Sequence, residues 1–182
     1  MRMAGFAVYS RQEIWRRLPG QGPQAAAVAP LTEETDADAM DIQLLYSNIV
    51  PRLVQPIAVP SSESMGLVFR QPGERIEGYV AVSEGKYGIY VVPYLHPDIS
   101  FRDVSAILAG AIARSSRGNS NTPVYICVRR YQDWLEEALV ELGFELWTEQ
   151  AVMVRHITAG VRQASFAPLA RTLDAMPSHV RP

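Results

Sequence analysis

The period of the apolar positions changes repeatedly between Lys86 and Ile157, and each change marks an element. Tyr87–Leu95 (YGIYVVPYL) is a short run rich in β-branched and aromatic residues, flanked by the turn-like Glu84-Gly85-Lys86 and His96-Pro97-Asp98. It predicts a strand. Ser100–Arg114 then places Phe101, Val104, Ile107, Leu108, Ala111 and Ile112 at helical spacing. Asp98 or Ser100 can cap this helix, and Asp103 suits its first turn. After a polar loop, Ser115–Thr122, the run Pro123–Arg129 (PVYICVR) predicts a second strand. Trp134, Leu135, Ala138, Leu139 and Leu142 mark a second amphipathic helix, which Gly143 stops. Glu145–Ile157 reads as a third strand.

Upstream of this core, Met3–Arg16 alternates like a strand, with Ile14 and Trp15 closing it. Gly5–Ile14 lies over Gly143–Val152 with Gly, Phe and Gln identical, and with Tyr9/Trp147 and Ser10/Thr148 similar. An apolar strand of this kind left free would be an aggregation edge, so it is expected to pair with a sheet. Leu18–Pro30, with Pro19, Gly20, Gly22 and Pro23, is a linker. Val28–Thr32 predicts a first strand of the domain proper. Thr35, Asp36 or Asp38 can cap a helix whose buried stripe is Ala39, Ile42, Leu45, Tyr46 and Ile49, and Pro51 limits it. Leu53–Ile57 predicts a short second helix. Met65–Arg70 and Ile76–Ser83 are strands joined by the turn Gln71–Glu74. The tail, 158–182, carries weak helical spacing at Phe166, Leu169, Leu173 and Met176.

A chain of 182 residues, 48% hydrophobic and 20% charged, fits one soluble domain with an appendage. A net charge of −2 supplies no basic field for nucleic acid, so none is expected as a partner. No apolar run reaches the length of a membrane span, about 18 residues. The opening MRMAGFAVYS lacks the apolar core of a signal peptide. Together these features predict a cytoplasmic protein without a membrane partner. Cys127 is the single cysteine and is expected to be a small buried hydrophobe.

Leu139–Phe144 (LVELGF), followed by the long run ending Met153-Val154-Arg155-His156-Ile157, resembles the C-terminal half of the GCN5-related N-acetyltransferases (GNAT). The resemblance covers roughly residues 28–157. It implies an α/β (α+β) fold, a mixed and mostly antiparallel sheet with helices on both faces. Residues 1–17 then resemble the end of a preceding acetyltransferase-like unit, 18–30 a linker, 31–157 the acetyltransferase-like domain and 158–182 a tail. The chain is similar to the C-terminal unit of a tandem protein. Strand 5–15 is expected to pair within the chain, with a second copy in a homodimer, or with a missing N-terminal unit.

The resemblance also implies a chemistry: transfer of an acyl group from acyl-CoA to an amine. Such a site needs a strand offering backbone groups to the pantetheine arm, and N–H groups at a helix N-terminus to hold the pyrophosphate. It also needs an acid for the departing thiolate. Val92 and Tyr94 of the edge Val91–Tyr94 are the residues implied for the arm, with Pro93 leaving a carbonyl unpaired. Ser100 and Arg102 are implied for the pyrophosphate. The loop His96–Asp103 holds no glycine, however, and Pro97 removes a donor while Asp98 and Asp103 add negative charge. Leu139 stands where the family commonly has its tyrosine acid, and Gln132 where it often has an asparagine. Acetyl-CoA binding is therefore expected to be weak or absent, and the alternative function is a non-catalytic binding or assembly module that keeps the fold. Tyr131, His96, Glu77 and Glu84 are the remaining groups able to act as acid or base, and no catalytic residue is assigned. No metal-ligand spacing is present.

Overall fold

The computed structural model describes residues 6–21, 27–58, 63–71, 75–115 and 121–155. Its strands are β1 (Phe6–Arg17), β2 (Thr32–Glu33), β3 (Met65–Arg70), β4 (Ile76–Gly85), β5 (Gly88–Leu95), β6 (Val124–Arg129) and β7 (Glu145–Arg155). The helices are α1 (Ala39–Ile49), α2 (Phe101–Arg114) and α3 (Glu136–Glu141). The strands form a single mixed sheet in the order β2-β3-β4-β5-β6-β1-β7. All its pairings are antiparallel except β5 with β6, the pair that α2 connects.

The N-terminal strand takes an interior place. One edge of β1 pairs with β6 from Gln12↔Arg129 to Arg17↔Val124, and the other pairs with β7 from Phe6↔Arg155 to Arg16↔Glu145. The register to β7 shifts between Val8 and Ser10 and between Ile14 and Trp15. Each shift leaves one residue extra and bends the ribbon. Because β6 ends at Arg129, Phe6–Arg11 pair with β7 alone.

Helices lie on both faces. α2 and α3 cover one, where Val91, Ile107, Leu108, Ile126, Val128, Leu135, Leu139, Leu142 and Phe144 share a single buried cluster. The helical stripe predicted for α2 supplies Val104, Ile107, Leu108, Ala111 and Ile112 to it, while Phe101 stays 44% exposed on the first turn. α1 covers the other face, with Leu45 and Tyr46 against Val68, Tyr79, Ala81 and Tyr94. Thr35 and Asp38 form the capping box that precedes it. α3 ends as its glycine predicts. Gly143 adopts φ 78°, and the N–H groups of Gly143 and Phe144 bond to the Val140 and Leu139 carbonyls at 3.0 and 2.9 Å.

Two boundaries differ from the sequence reading. The first domain strand is confined to Thr32–Glu33, because residues 27–31 run along α2 instead of β3: Ala29 N–H bonds to the Ala106 carbonyl and Leu31 is buried in the α2 cluster. The predicted short helix 53–57 is one 3-10 turn, Gln55–Ile57, with Pro56 in its first turn. The turn residues 72–74, most of the loop 115–122 and the segment 156–182 lie outside the described residues.

Candidate functional site

Where β5 and β6 part company, the fold leaves polar backbone exposed to whatever fills the gap. The two strands pair only from Ile89↔Val124 to Val91↔Ile126. Beyond that, β5 runs on beside β4 to Leu95, and β6 runs on beside β1 to Arg129. Pro93 has no N–H to offer on this edge. Its carbonyl and the Leu95 N–H remain, and both meet Gln132. With the amide oriented to suit its neighbours, Gln132 Nε2 donates to the Pro93 carbonyl at 3.0 Å and its Oε1 accepts from the Leu95 N–H at 3.1 Å. Gln132 is 2% exposed. It reaches β5 because the 3-10 run Arg130–Leu135 breaks at this residue, with φ −128° and ψ 26°. The Pro93 carbonyl and the Leu95 N–H on this edge are thus satisfied by a side chain of the same protein. An acyl-CoA arm laid along this edge would have to displace that side chain.

The N-terminus of α2 is also internally satisfied. Ser100 is its N-cap, accepting from the Asp103 N–H at 3.2 Å and donating to Asp103 Oδ2 at 2.7 Å. Before it, His96 Nδ1 accepts from the Asp98 N–H at 3.3 Å and lies 3.5 Å from Asp98 Oδ2. Asp103 complements the positive end of the helix from within.

On the α1 face a different centre forms. Four tyrosines from separate elements, Tyr46, Tyr79, Tyr94 and Tyr131, approach the end of β6. Tyr94 is 1% exposed, and its hydroxyl donates to the Ala58 carbonyl at 2.5 Å. Its ring lies 5.7 Å from that of Tyr46 and 6.0 Å from that of Tyr79. Arg129 stacks over Tyr94 at 5.1 Å and donates from Nη1 to the Ala58 carbonyl at 3.2 Å and to the Tyr131 hydroxyl at 3.1 Å. Burial pushes the Tyr94 phenol up to about 12, against the opposing pull of Arg129. Burial raises Tyr131 and Cys127 as well. Burial disfavours the charge of Arg129 and its contacts with Tyr94 and Tyr131 favour it, with the net shift upward, so it remains a cation.

Three cavities surround this end of the sheet. A recess of about 20 Å³ lies against Arg129, walled by Ser10, Gln12, Val54, Ile57, Ala58 and Val152. A notch of about 390 Å³ shares Ser10 and Val54 with it and adds Val8, Tyr9, Arg11, Pro51, Arg130 and Tyr131. The third, of about 320 Å³, is lined by Glu13, Asp133, Glu136 and Glu149 beside Arg11, Arg129 and Arg130. Glu136 is raised there by partial burial and by the neighbouring charges of Glu13 and Asp133.

Of the residues implied for a cofactor, Val92 is half-buried against the α1-side cluster and Tyr94 is fully enclosed in it. Ser100 caps α2 and Arg102 is exposed on the helix's first turn. These four therefore divide between the tyrosine centre and the α2 terminus. Cys127 is buried, as a small hydrophobe would be. Glu77 is half-buried and Glu84 exposed, both on β4, and neither is among the hydrogen-bond partners of Arg129. His156 and His179 lie outside the described residues. Among the described residues no cluster of His, Cys, Asp or Glu could hold a metal ion, and no helix is long and apolar enough to cross a membrane. Sequence reasoning missed the parts played by Gln132 and Arg129. The one available signal was the pair Arg129-Arg130 closing an otherwise apolar strand.

No family model matches this chain, and no curated protein matches it by sequence. Solved structures do match. A Novosphingobium aromaticivorans protein described as a GNAT-family acetyltransferase aligns with a TM-score of 0.53 at 13% identity, covering 84% of this chain and 69% of that one. A GNAT-family acetyltransferase from Colwellia psychrerythraea aligns at 0.54 and 8% identity, covering 82% and 56%. A conserved protein of unknown function from Enterococcus faecalis aligns at 0.58 and 14% identity, covering 84% of this chain and 41% of that one. The likeness is one of fold: the chain has the mixed α/β architecture of the GNAT acetyltransferases, and it spans only part of the length of these relatives.

Proposed function

We propose that this chain is a non-catalytic binding module built on the acetyltransferase fold. The observation that carries the reading is the Gln132 amide, which occupies the Pro93 carbonyl and the Leu95 N–H at the parting of β5 and β6. A pantetheine arm competes for the same two groups. Displacing a buried amide strands its own donors and acceptors, at about 1–3 kcal/mol for each group left unpaired. The Ser100–Asp103 cap supports the reading, because a carboxylate already sits where a pyrophosphate would. Fold by itself does not carry activity.

A related reading concerns β1. Its place between β6 and β7 supports treating residues 1–17 as the closing strand of an acetyltransferase-like unit. The second functional reading, an N-acyltransferase acting on an amine, is favoured by the divergence of β5 from β6 after Val91, which leaves a wedge at the centre of the sheet.

Charge removal at the α2 terminus separates the two readings. Replacing Asp98 and Asp103 with Asn removes like charge while the capping bonds stay feasible. If only charge stands between the chain and acetyl-CoA, that double variant binds it, and binding weakens as salt rises. If Gln132 is the obstacle, the double variant binds no better than wild type, and adding Gln132→Gly is needed before calorimetry detects the cofactor.

A further inference from the structure

Arg129 is a half-buried cation whose described neighbours are neutral. The groups facing it are the Ala58 carbonyl, the Tyr94 ring and hydroxyl, the Tyr131 hydroxyl and the Cys127 thiol. Among the described residues no carboxylate forms an ion pair with it, although Arg70 does pair with Asp38. Both of its hydrogen bonds to described residues leave from Nη1. The recess of about 20 Å³ opens on this side chain. That volume admits roughly one water-sized group, such as a single carboxylate oxygen. A cation removed from bulk water is costly unless an anion or strong dipole answers it. The larger notch shares Ser10 and Val54 with the recess, and its walls are apolar at Val8, Pro51 and Val54 and cationic at Arg11 and Arg130. It exists because β1 and β6 diverge past Gln12↔Arg129, just as β5 and β6 diverge past Val91. The carboxylates Glu13, Asp133, Glu136 and Glu149 are absent from the lining of the notch and the recess; they line the third cavity, which shares Arg11 and Arg130 with the notch and Gln12 and Arg129 with the recess.

We propose that the recess and the notch together bind a small organic carboxylate, its charged head meeting Arg129 and its apolar body lying between Val8, Pro51 and Val54. Guanidinium suits this head group because it presents several donors in one plane. The proposal deepens the reading of the chain as a binding module, and it names what the module would hold.

The test compares benzoate with benzamide, a neutral molecule of nearly the same shape, by calorimetry and by amide NMR shifts on the full chain. Charge-assisted hydrogen bonds contribute enough to predict that benzoate binds about tenfold more tightly or better. The shifts should centre on Ser10, Gln12, Val54 and Tyr131. Arg129→Gln should abolish the preference for the anion. Should that variant lose its native circular dichroism, the pair Arg11→Gln/Arg130→Gln, at the notch rim, should weaken benzoate binding about threefold while leaving benzamide unchanged. Equal affinities for the two molecules, shifts centred elsewhere, or an intact preference in Arg129→Gln would each overturn the proposal. A parallel titration with acetyl-CoA keeps the two readings apart: binding there contradicts the module, whereas failure of benzoate contradicts only the carboxylate site.

Discussion

Leu139 is wholly buried between α3 and the sheet, and its neighbours Leu135, Leu142 and Phe144 belong to the same cluster. Truncating it to Ala should cost about 2–5 kcal/mol in urea unfolding, and a near-neutral result would mean that α3 does not pack as described. Tyr94 offers a test through pH. Its phenol is raised in the folded protein to about 12, while an unfolded tyrosine titrates near about 10. The folded state therefore binds the proton more tightly. The stability linked to that proton is fully present below pH about 10 and is lost as pH rises through the folded value. Tyr79 and Tyr90 are raised in the same direction by burial. Tyr94→Phe should thus flatten, without abolishing, the fall of the melting temperature in alkaline buffer; an unchanged alkaline limb would place Tyr94 in contact with water. Single residues show where sequence reading stops. The apolar stripe of α3 was legible because the spacing of Leu135, Ala138, Leu139 and Leu142 leaves one face to bury. Gln132 was not, because its role depends on a backbone break inside the run Arg130–Leu135 and on two polar groups of a strand nearly forty residues earlier.

Among the elements, β1 has the largest consequence. Its alternation identified a strand, and its likeness to Gly143–Val152 suggested a repeated unit, which left its pairing open between this chain, a second copy and a missing unit. Alternation says which way side chains face and nothing of what lies on the second edge, so pairing with β6 was invisible. An interior strand cannot tolerate loss of a ladder donor. Ile14 pairs with Cys127 on one side and Thr148 on the other and is 3% exposed. Ile14→Pro should therefore abolish the cooperative thermal transition or lower its midpoint sharply. Pro at Ala151, on the outer strand β7, should be far milder if that residue's N–H faces solvent. Equal effects at the two positions would contradict an interior place for β1. The overprediction of β2 has a similar origin. Val28–Leu31 is apolar enough for a strand, but its apolar side chains serve α2, and only tertiary contact decides between a ladder and a helix.

At the scale of the whole molecule, the chain has the mixed α/β architecture of the GNAT acetyltransferases, and the polar groups at the parting of β5 and β6 and at the start of α2 are met by its own side chains. Gln132 meets the Pro93 carbonyl and the Leu95 N–H, and Ser100 with Asp103 caps α2. The fold was legible because strand–helix–strand–helix–strand periodicity is set by the spacing of apolar residues alone. The absence of glycine from the 96–103 loop was legible too, since composition alone reveals it. The Arg129 centre was not, because its tyrosines come from α1, β4, β5 and the turn after β6, and only folding brings them together. The most direct measurement is a calorimetric titration of acetyl-CoA into the wild-type chain at low salt. The closed wedge predicts no heat of binding and no rise in melting temperature, even at ligand concentrations where a site filled to 100 times its dissociation constant would add about 2.7 kcal/mol. Binding at micromolar concentration or tighter would contradict the account and restore an acyl-CoA enzyme as the function of this fold.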